Sequence, residues 1–179
     1  MTPLLLSLAA GGTSAAAQGT SKTLVACFSR SGNTRVVAGQ VRRALGADLF
    51  EIEPDIPYPD DYFATVAQAQ QERDRGYEPL LKTTADTIAR YSTVFLGFPI
   101  WGMTAPPVIR SFLSTHDLSG KTIVPLVTHG GYGLGDSMRV VAGHAPQANV
   151  LDAFSTQAPQ ERETIERVSA WLDQQQIQK

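Results

Sequence analysis

Thr23-Leu24-Val25-Ala26-Cys27-Phe28-Ser29-Arg30-Ser31-Gly32-Asn33-Thr34-Arg35-Val36-Val37 is the stretch whose reading decides the fold. Its first six residues run almost wholly apolar, without the in–out alternation of a half-exposed strand. That is the pattern of a parallel strand buried on both faces. A polar turn stops the run. From Asn33 to Leu45 the spacing predicts a helix: Val37, Val41 and Leu45 recur at i, i+4 and i+8, with Arg42 and Arg43 between them and Gly46 as a stop. Asp48 to Ile52 then alternates like an edge strand. The chain therefore opens β-α-β.

The same alternation continues outward from there. Residues 53–60 hold three prolines and predict a loop. Asp60 or Asp61 can cap a polar helix to about Arg73, and Thr87 to Arg90 suggests a short helical turn. Thr93 to Phe98 and Thr122 to Thr128 are further buried-strand runs. Pro106 and Pro107 can start a helix through Leu113, because proline is tolerated in a first turn. Leu134 to Gly143 predicts a helix, Val150 to Phe154 a weaker fifth strand, and Glu161 to Gln176 a terminal helix with Ile165, Val168 and Leu172 inward. Pro125 removes a ladder donor from the third apolar strand and predicts a distortion or an unpaired position there. Alternating β and α implies an α/β fold, a parallel sheet with helices on both faces.

The chain's 179 residues suit one domain, and 42% hydrophobic with 18% charged residues is an ordinary globular balance. A net charge of −2 argues against a nucleic-acid binder, which needs a basic face for phosphates. A single cysteine excludes an internal disulfide. Residues 22–179 are assigned to the domain. Before it, Leu4, Leu5, Leu6 and Leu8 form a short apolar run, followed by small residues including Ala15-Ala16-Ala17. This looks like the apolar core and cleavage site of a secretory signal, but no Lys or Arg precedes the leucines. Residues 1–21 are therefore either a signal remnant, which implies export to the periplasm, or a disordered tail on a cytoplasmic protein. The run is too short to span a bilayer.

Ligands of open α/β sheets bind at the carboxyl ends of the strands. The three strongest strands each end there in an unusual loop, and we read the three as one site. Ser29-Arg30-Ser31-Gly32-Asn33-Thr34-Arg35 offers hydroxyls, an amide and the N–H groups of a helix start, which together suit a phosphate monoester. An ordinary capped turn is the alternative. Pro99-Ile100-Trp101-Gly102-Met103 is apolar and aromatic, a wall for a flat ring or else core packing. Thr128-His129-Gly130-Gly131-Tyr132-Gly133-Leu134-Gly135 holds four glycines in eight residues and suggests close backbone approach to a ligand, against a flexible surface loop. Other phosphate sites fit less well. No Lys follows Gly32 or Gly135 as a P-loop requires, and Asn33 stands where a cysteine phosphatase built on Cys27 would need arginine. Cys27 reads as core. No metal site and no acid–base pair are predicted.

Together the loops resemble the flavodoxin family. Ser29-Arg30-Ser31-Gly32-Asn33-Thr34 matches its phosphate loop, Ser/Thr-x-Ser/Thr-Gly-x-Thr, throughout. A bacterial flavodoxin-like, FMN-binding branch also reads much like Tyr58-Pro59-Asp60-Asp61-Tyr62, Pro99-Ile100-Trp101 and Thr128-His129-Gly130-Gly131, and carries a proline like Pro125. The resemblance runs from about residue 23 to the end. It implies a three-layer sandwich with a five-stranded parallel sheet in order 2-1-3-4-5. It further implies FMN as cofactor, its phosphate on Ser29, Ser31, Gly32, Asn33 and Thr34. The ring would lie between Pro99, Ile100, Trp101 and Gly102 on one side and Thr128, His129, Gly130, Gly131 and Tyr132 on the other. Gly102 stands where the branch often has a second tryptophan, so one ring face is expected to be less covered, with room for a substrate.

The function this implies is electron movement through bound FMN, to a redox partner protein or a small-molecule acceptor. The rival is an enzyme, an NAD(P)H-dependent quinone or nitro-compound reductase. A phospho-accepting signalling domain of the same topology lacks its acidic cluster here. The two ring-side loops carry no Lys, Arg, Asp or Glu up to Gly135. They predict a low-charge pocket that disfavours the anionic reduced flavin. A protonated His129 would act in the opposite sense.

Overall fold

The computed structural model describes residues 22–158 and 161–175. The 1–21 segment and Gln176 lie outside these, as does the side chain of Ile165. The first strand, β1 (Thr23–Cys27), is followed by α1 (Asn33–Leu45) and β2 (Asp48–Glu51). Then come α2 (Tyr62–Asp74), β3 (Thr93–Pro99), α3 (Pro107–Thr115) and β4 (Thr122–His129). The chain closes with α4 (Ser137–His144), β5 (Asn149–Val150), β6 (Phe154–Gln157) and α5 (Glu161–Gln174).

All strand pairs are parallel, in the spatial order β2-β1-β3-β4, with both β5 and β6 on the outer side of β4. This is the expected 2-1-3-4-5 sheet. Side chains of β1 and β3 feed two cores, because successive residues of a strand face opposite ways. Val25, Cys27 and Phe95 pack under Val37 and Val41 of α1 and Val168 and Leu172 of α5. Leu24, Ala26, Val94 and Leu96 pack under Val108, Ile109 and Phe112 of α3 and Val140 and Val141 of α4. Each of the Val, Leu, Ile and Phe side chains among them contributes roughly 1.5–3 kcal/mol when fully buried. Double-sided burial is why these strands read as continuous apolar runs.

The fifth strand differs from its expected span. Val150 to Phe154 is not one strand: its two end residues belong to separate strands, and 151–153 break it. Pro125 explains the break. The Ile123 carbonyl accepts from Leu151 N–H at 2.9 Å, so odd-numbered residues of β4 face the fifth position. Pro125 shares that side and has no N–H to give. Pairing stops at Ile123–Val150 and resumes at Leu126–Phe154. The unpaired position expected at Pro125 is thus present, and β6 carries the ladder on to His129, opposite Gln157.

Helix ends follow local chemistry. Asp61 caps α2, its carboxylate accepting from Ala64 N–H at 2.8 Å. Residues 134–136 form a turn, so α4 starts three residues later than expected, at Ser137. Among the described residues, no helix is long and apolar enough to cross a membrane.

Candidate functional site

The tips of β1, β3 and β4 meet at one cavity of about 480 Å³, within the range of small-molecule sites. Of the predicted residues, Ser31, Asn33, Pro99, Ile100, Trp101, Gly102, Thr128, His129 and Gly130 line it. Its remaining wall is α2, through Tyr62, Thr65, Val66, Ala69, Gln70 and Arg73, with Arg30 and Ala158 at its edges.

At one end lies the start of α1. Gly32 takes φ +91° and no side chain caps the helix, so its first-turn N–H groups have no helical acceptor. Asn33 Nδ2 donates to Ser31 Oγ at 3.3 Å beside them. Amides, a hydroxyl and a carboxamide are a donor set for an anion. The Ser29 hydroxyl accepts from Gly32 N–H at 3.1 Å and shapes the loop from behind; Ser29 lines a different hollow. The Thr34 hydroxyl is buried and bonded to Thr128 Oγ1 at 2.8 Å.

The second loop is a tight hairpin. Trp101 N–H donates to the Thr104 carbonyl at 3.0 Å and Thr104 N–H returns to Trp101 at 3.2 Å. The two residues between, Gly102 and Met103, have φ +55° and +66°, as a two-residue primed turn requires. Trp101 serves both as cavity wall and as core. Its ring stands edge-on to Phe28 at 5.2 Å and to Tyr58 at 4.9 Å. The Tyr58 hydroxyl donates to Glu72 at 2.8 Å, and burial, with this bond added, raises its pKa. The aromatic wall is therefore fixed from behind.

The third loop is tied to the second. Asp136 N–H donates to the Met103 carbonyl at 2.9 Å. A Cβ on Gly135 would stand 1.9 Å from that carbonyl oxygen, so glycine permits the close approach. The close approach expected of this glycine-rich loop is thus, at Gly135, an approach to protein backbone. Gly131 N–H donates to His129 Nδ1 at 3.1 Å, which makes Nδ1 an acceptor and assigns the ring proton to Nε2. Tyr132 is 82% exposed and outside the cavity lining.

The α2 wall is what sequence reasoning missed, and Arg73 is its charged member. This arginine sits on the last turn of α2, and its guanidinium lies over Gly102: a Cβ there would be 2.3 Å from Nη1. Nη1 also donates to the Gly102 carbonyl at 3.4 Å. With Arg30 it gives the lining two cations and no carboxylate. The expected low-charge pocket is therefore corrected, and the space beside Gly102 is occupied by the Arg73 guanidinium. The charges come from outside the two ring-side loops. Nothing in the local sequence separates Arg73 from Arg75, which follows the end of α2.

A family model described as Flavodoxin matches residues 22–175. No curated protein matches the chain. Among solved structures, a proposed flavoprotein from Bacteroides eggerthii is 33% identical, with a TM-score of 0.75 over 89% of this chain and 100% of its own. A flavoprotein in complex with FMN from Lactobacillus acidophilus is 17% identical, with a TM-score of 0.68 over 84% and 99% of the two chains, a likeness of fold. An NADH:FMN oxidoreductase is 15% identical, with a TM-score of 0.52 over 85% and 87%.

Proposed function

The chain belongs to the flavodoxin family, and from that premise we propose that it binds FMN in the cavity at the strand tips and moves electrons through it. One observation carries this reading: the uncapped start of α1 and the Trp101 hairpin face the same cavity of about 480 Å³. The first suits a phosphate monoester and the second a flat aromatic ring, and FMN joins those two groups in one molecule.

The residues divide the work by their chemistry. The α1 amides, with Ser31 and Asn33, hold the phosphate. Pro99, Ile100 and Trp101 wall the ring, and Trp101 cannot swing away while Phe28 and Tyr58 hold its edges. His129 offers Nε2–H as a donor. When bound, FMN supplies the redox chemistry, accepting electrons from one partner and passing them to another. The partner is a redox protein or a small-molecule acceptor.

A reductase of quinones or nitro-compounds is the second reading. The α2 wall favours it, because Tyr62, Val66 and Gln70 extend the cavity beyond the three loops into space that a second molecule can use. Two measurements separate the cases. Protein purified or reconstituted with FMN should show a yellow flavin spectrum released on denaturation; a colourless protein after FMN addition overturns the cofactor. Rapid steady-state NAD(P)H oxidation with a quinone would exclude a pure carrier.

A further inference from the structure

The place of Arg73 deepens this reading and rests on it. Gly102 leaves the outer wall of the cavity without a side chain, and the Arg73 guanidinium fills that space, with Nη1, Cζ and Nη2 at 2.3, 3.4 and 3.9 Å from the position of a Cβ. The side chain is 30% exposed, much less than Arg139 at 79%. Its acceptors are weak. The Gly102 carbonyl is 3.4 Å away, and the neighbouring Asp74 carboxylate, itself 59% exposed, is 3.5 Å from Nε. No carboxylate lines the cavity. A cation that is partly desolvated, loosely paired and set in the wall of a ligand cavity favours a ligand that becomes negative.

We propose that Arg73 is the cation presented to the flavin, and that it favours the reduced, anionic cofactor over the oxidised one. The glycine at 102 is part of the device. It forms the turn, and it leaves open the space through which an arginine 29 residues upstream enters the site. Where a large side chain at this position would cover the flavin with an apolar surface, this chain covers it with a charge.

The test uses the FMN-loaded protein, and the spectrum of the wild type comes first. If the wild type takes up no FMN, the cofactor reading has failed before any variant is compared. With FMN bound, the two-electron midpoint potential and the dissociation constant of oxidised FMN are measured for wild type, Arg73→Gln, Arg73→Lys and Gly102→Ala. Arg73→Gln should weaken reduced FMN about tenfold more than it weakens oxidised FMN, whose own binding should stay within about threefold of wild type, for one partly screened charge near the ring. A two-electron couple reads that tenfold as a midpoint potential about 30 mV lower. Arg73→Lys should keep more than half of the wild-type preference for reduced FMN. Gly102→Ala should lower the potential while keeping the arginine, because the new methyl displaces the guanidinium. The double variant Arg73→Gln/Gly102→Ala, measured alongside them, should fall no further than the lower single. Equal potentials in wild type and Arg73→Gln overturn the proposal. Equal potentials with both oxidation states bound equally more weakly would mark Arg73 as a merely structural residue.

Discussion

Thr34 Oγ1 and Thr128 Oγ1 lie 2.8 Å apart with both residues almost wholly buried, so the start of α1 and the tip of β4 are bonded to each other beneath the cavity. This bond ties the first loop to the third. Replacing either residue by valine keeps the shape but strands the remaining hydroxyl in an apolar place, at a cost of about 1–3 kcal/mol. Replacing both removes donor and acceptor together. The double variant Thr34→Val/Thr128→Val should therefore be more stable than the sum of the two single losses predicts. Urea unfolding of the four proteins measures this; strictly additive losses would show that the hydroxyls do not depend on each other.

The second and third loops are held by backbone contact. Gly135→Ala places a methyl against the Met103 carbonyl, and the obstructing atoms are main chain, which cannot swing aside. We expect a loss of about 2 kcal/mol or more, with looser FMN binding because the Trp101 hairpin moves. Gly130→Ala is the control, since a Cβ there meets nothing within 4 Å and should change stability by less than about 0.5 kcal/mol. Thermal melts of both decide it. Equal melting temperatures would mean that the Asp136–Met103 hydrogen bond does not depend on close packing at Gly135.

These contacts also show what the sequence could reveal. The β1–loop–α1 unit was legible because its signals are local: a double-sided apolar run, a polar turn and a helical period ending at Gly46. The fifth strand was not. Its own residues read as one strand, and the break is imposed by Pro125 on the neighbouring strand. The three loops were legible as a site because strand order brings their ends together. The direction of each hydroxyl was not. Thr34 belongs to the phosphate-loop pattern, yet its side chain turns into the protein toward a residue 94 positions away. Arg73 was invisible for the same reason, since only the packing of α2 over the hairpin brings it to Gly102.

Met103 carries the local strain of the site. Among the described residues it is the one non-glycine at positive φ, and it is 49% exposed, so its side chain gains little from burial. A left-handed conformation costs such a residue about 1–2 kcal/mol, while asparagine tolerates it. Met103→Asn should raise stability by about 1 kcal/mol, roughly 2–4 °C in melting temperature for a domain of this size. A lower melting temperature would show that the thioether packs more strongly than its exposure implies. A rise in stability accompanied by weaker FMN binding would instead mark Met103 as strained for function.

Cys27 supplies the pH dependence. Its thiol lies at the carboxyl end of β1, and burial pushes its pKa from an ordinary 9.0 up to about 12; Arg35 pulls it partly back and Glu51 adds to the rise. The folded state therefore holds the thiol proton more tightly than the unfolded chain does. The resulting stability is fully present below pH 9 and is lost as the pH climbs from about 9 toward about 12, because the unfolded chain ionises first. Cys27→Ala has no such proton. Compared with that variant, the wild type should lose up to about 1.4 kcal/mol per pH unit above pH 9, beyond whatever packing the missing sulfur costs at neutral pH. Urea midpoints for both proteins from pH 7 to 10.5 test this, with iodoacetamide labelling as an independent reading. The native thiol should stay unlabelled at pH 8 and react once the chain is unfolded. Parallel stability curves, or rapid labelling of the native protein, would mean that the thiol ionises as freely in the fold as outside it.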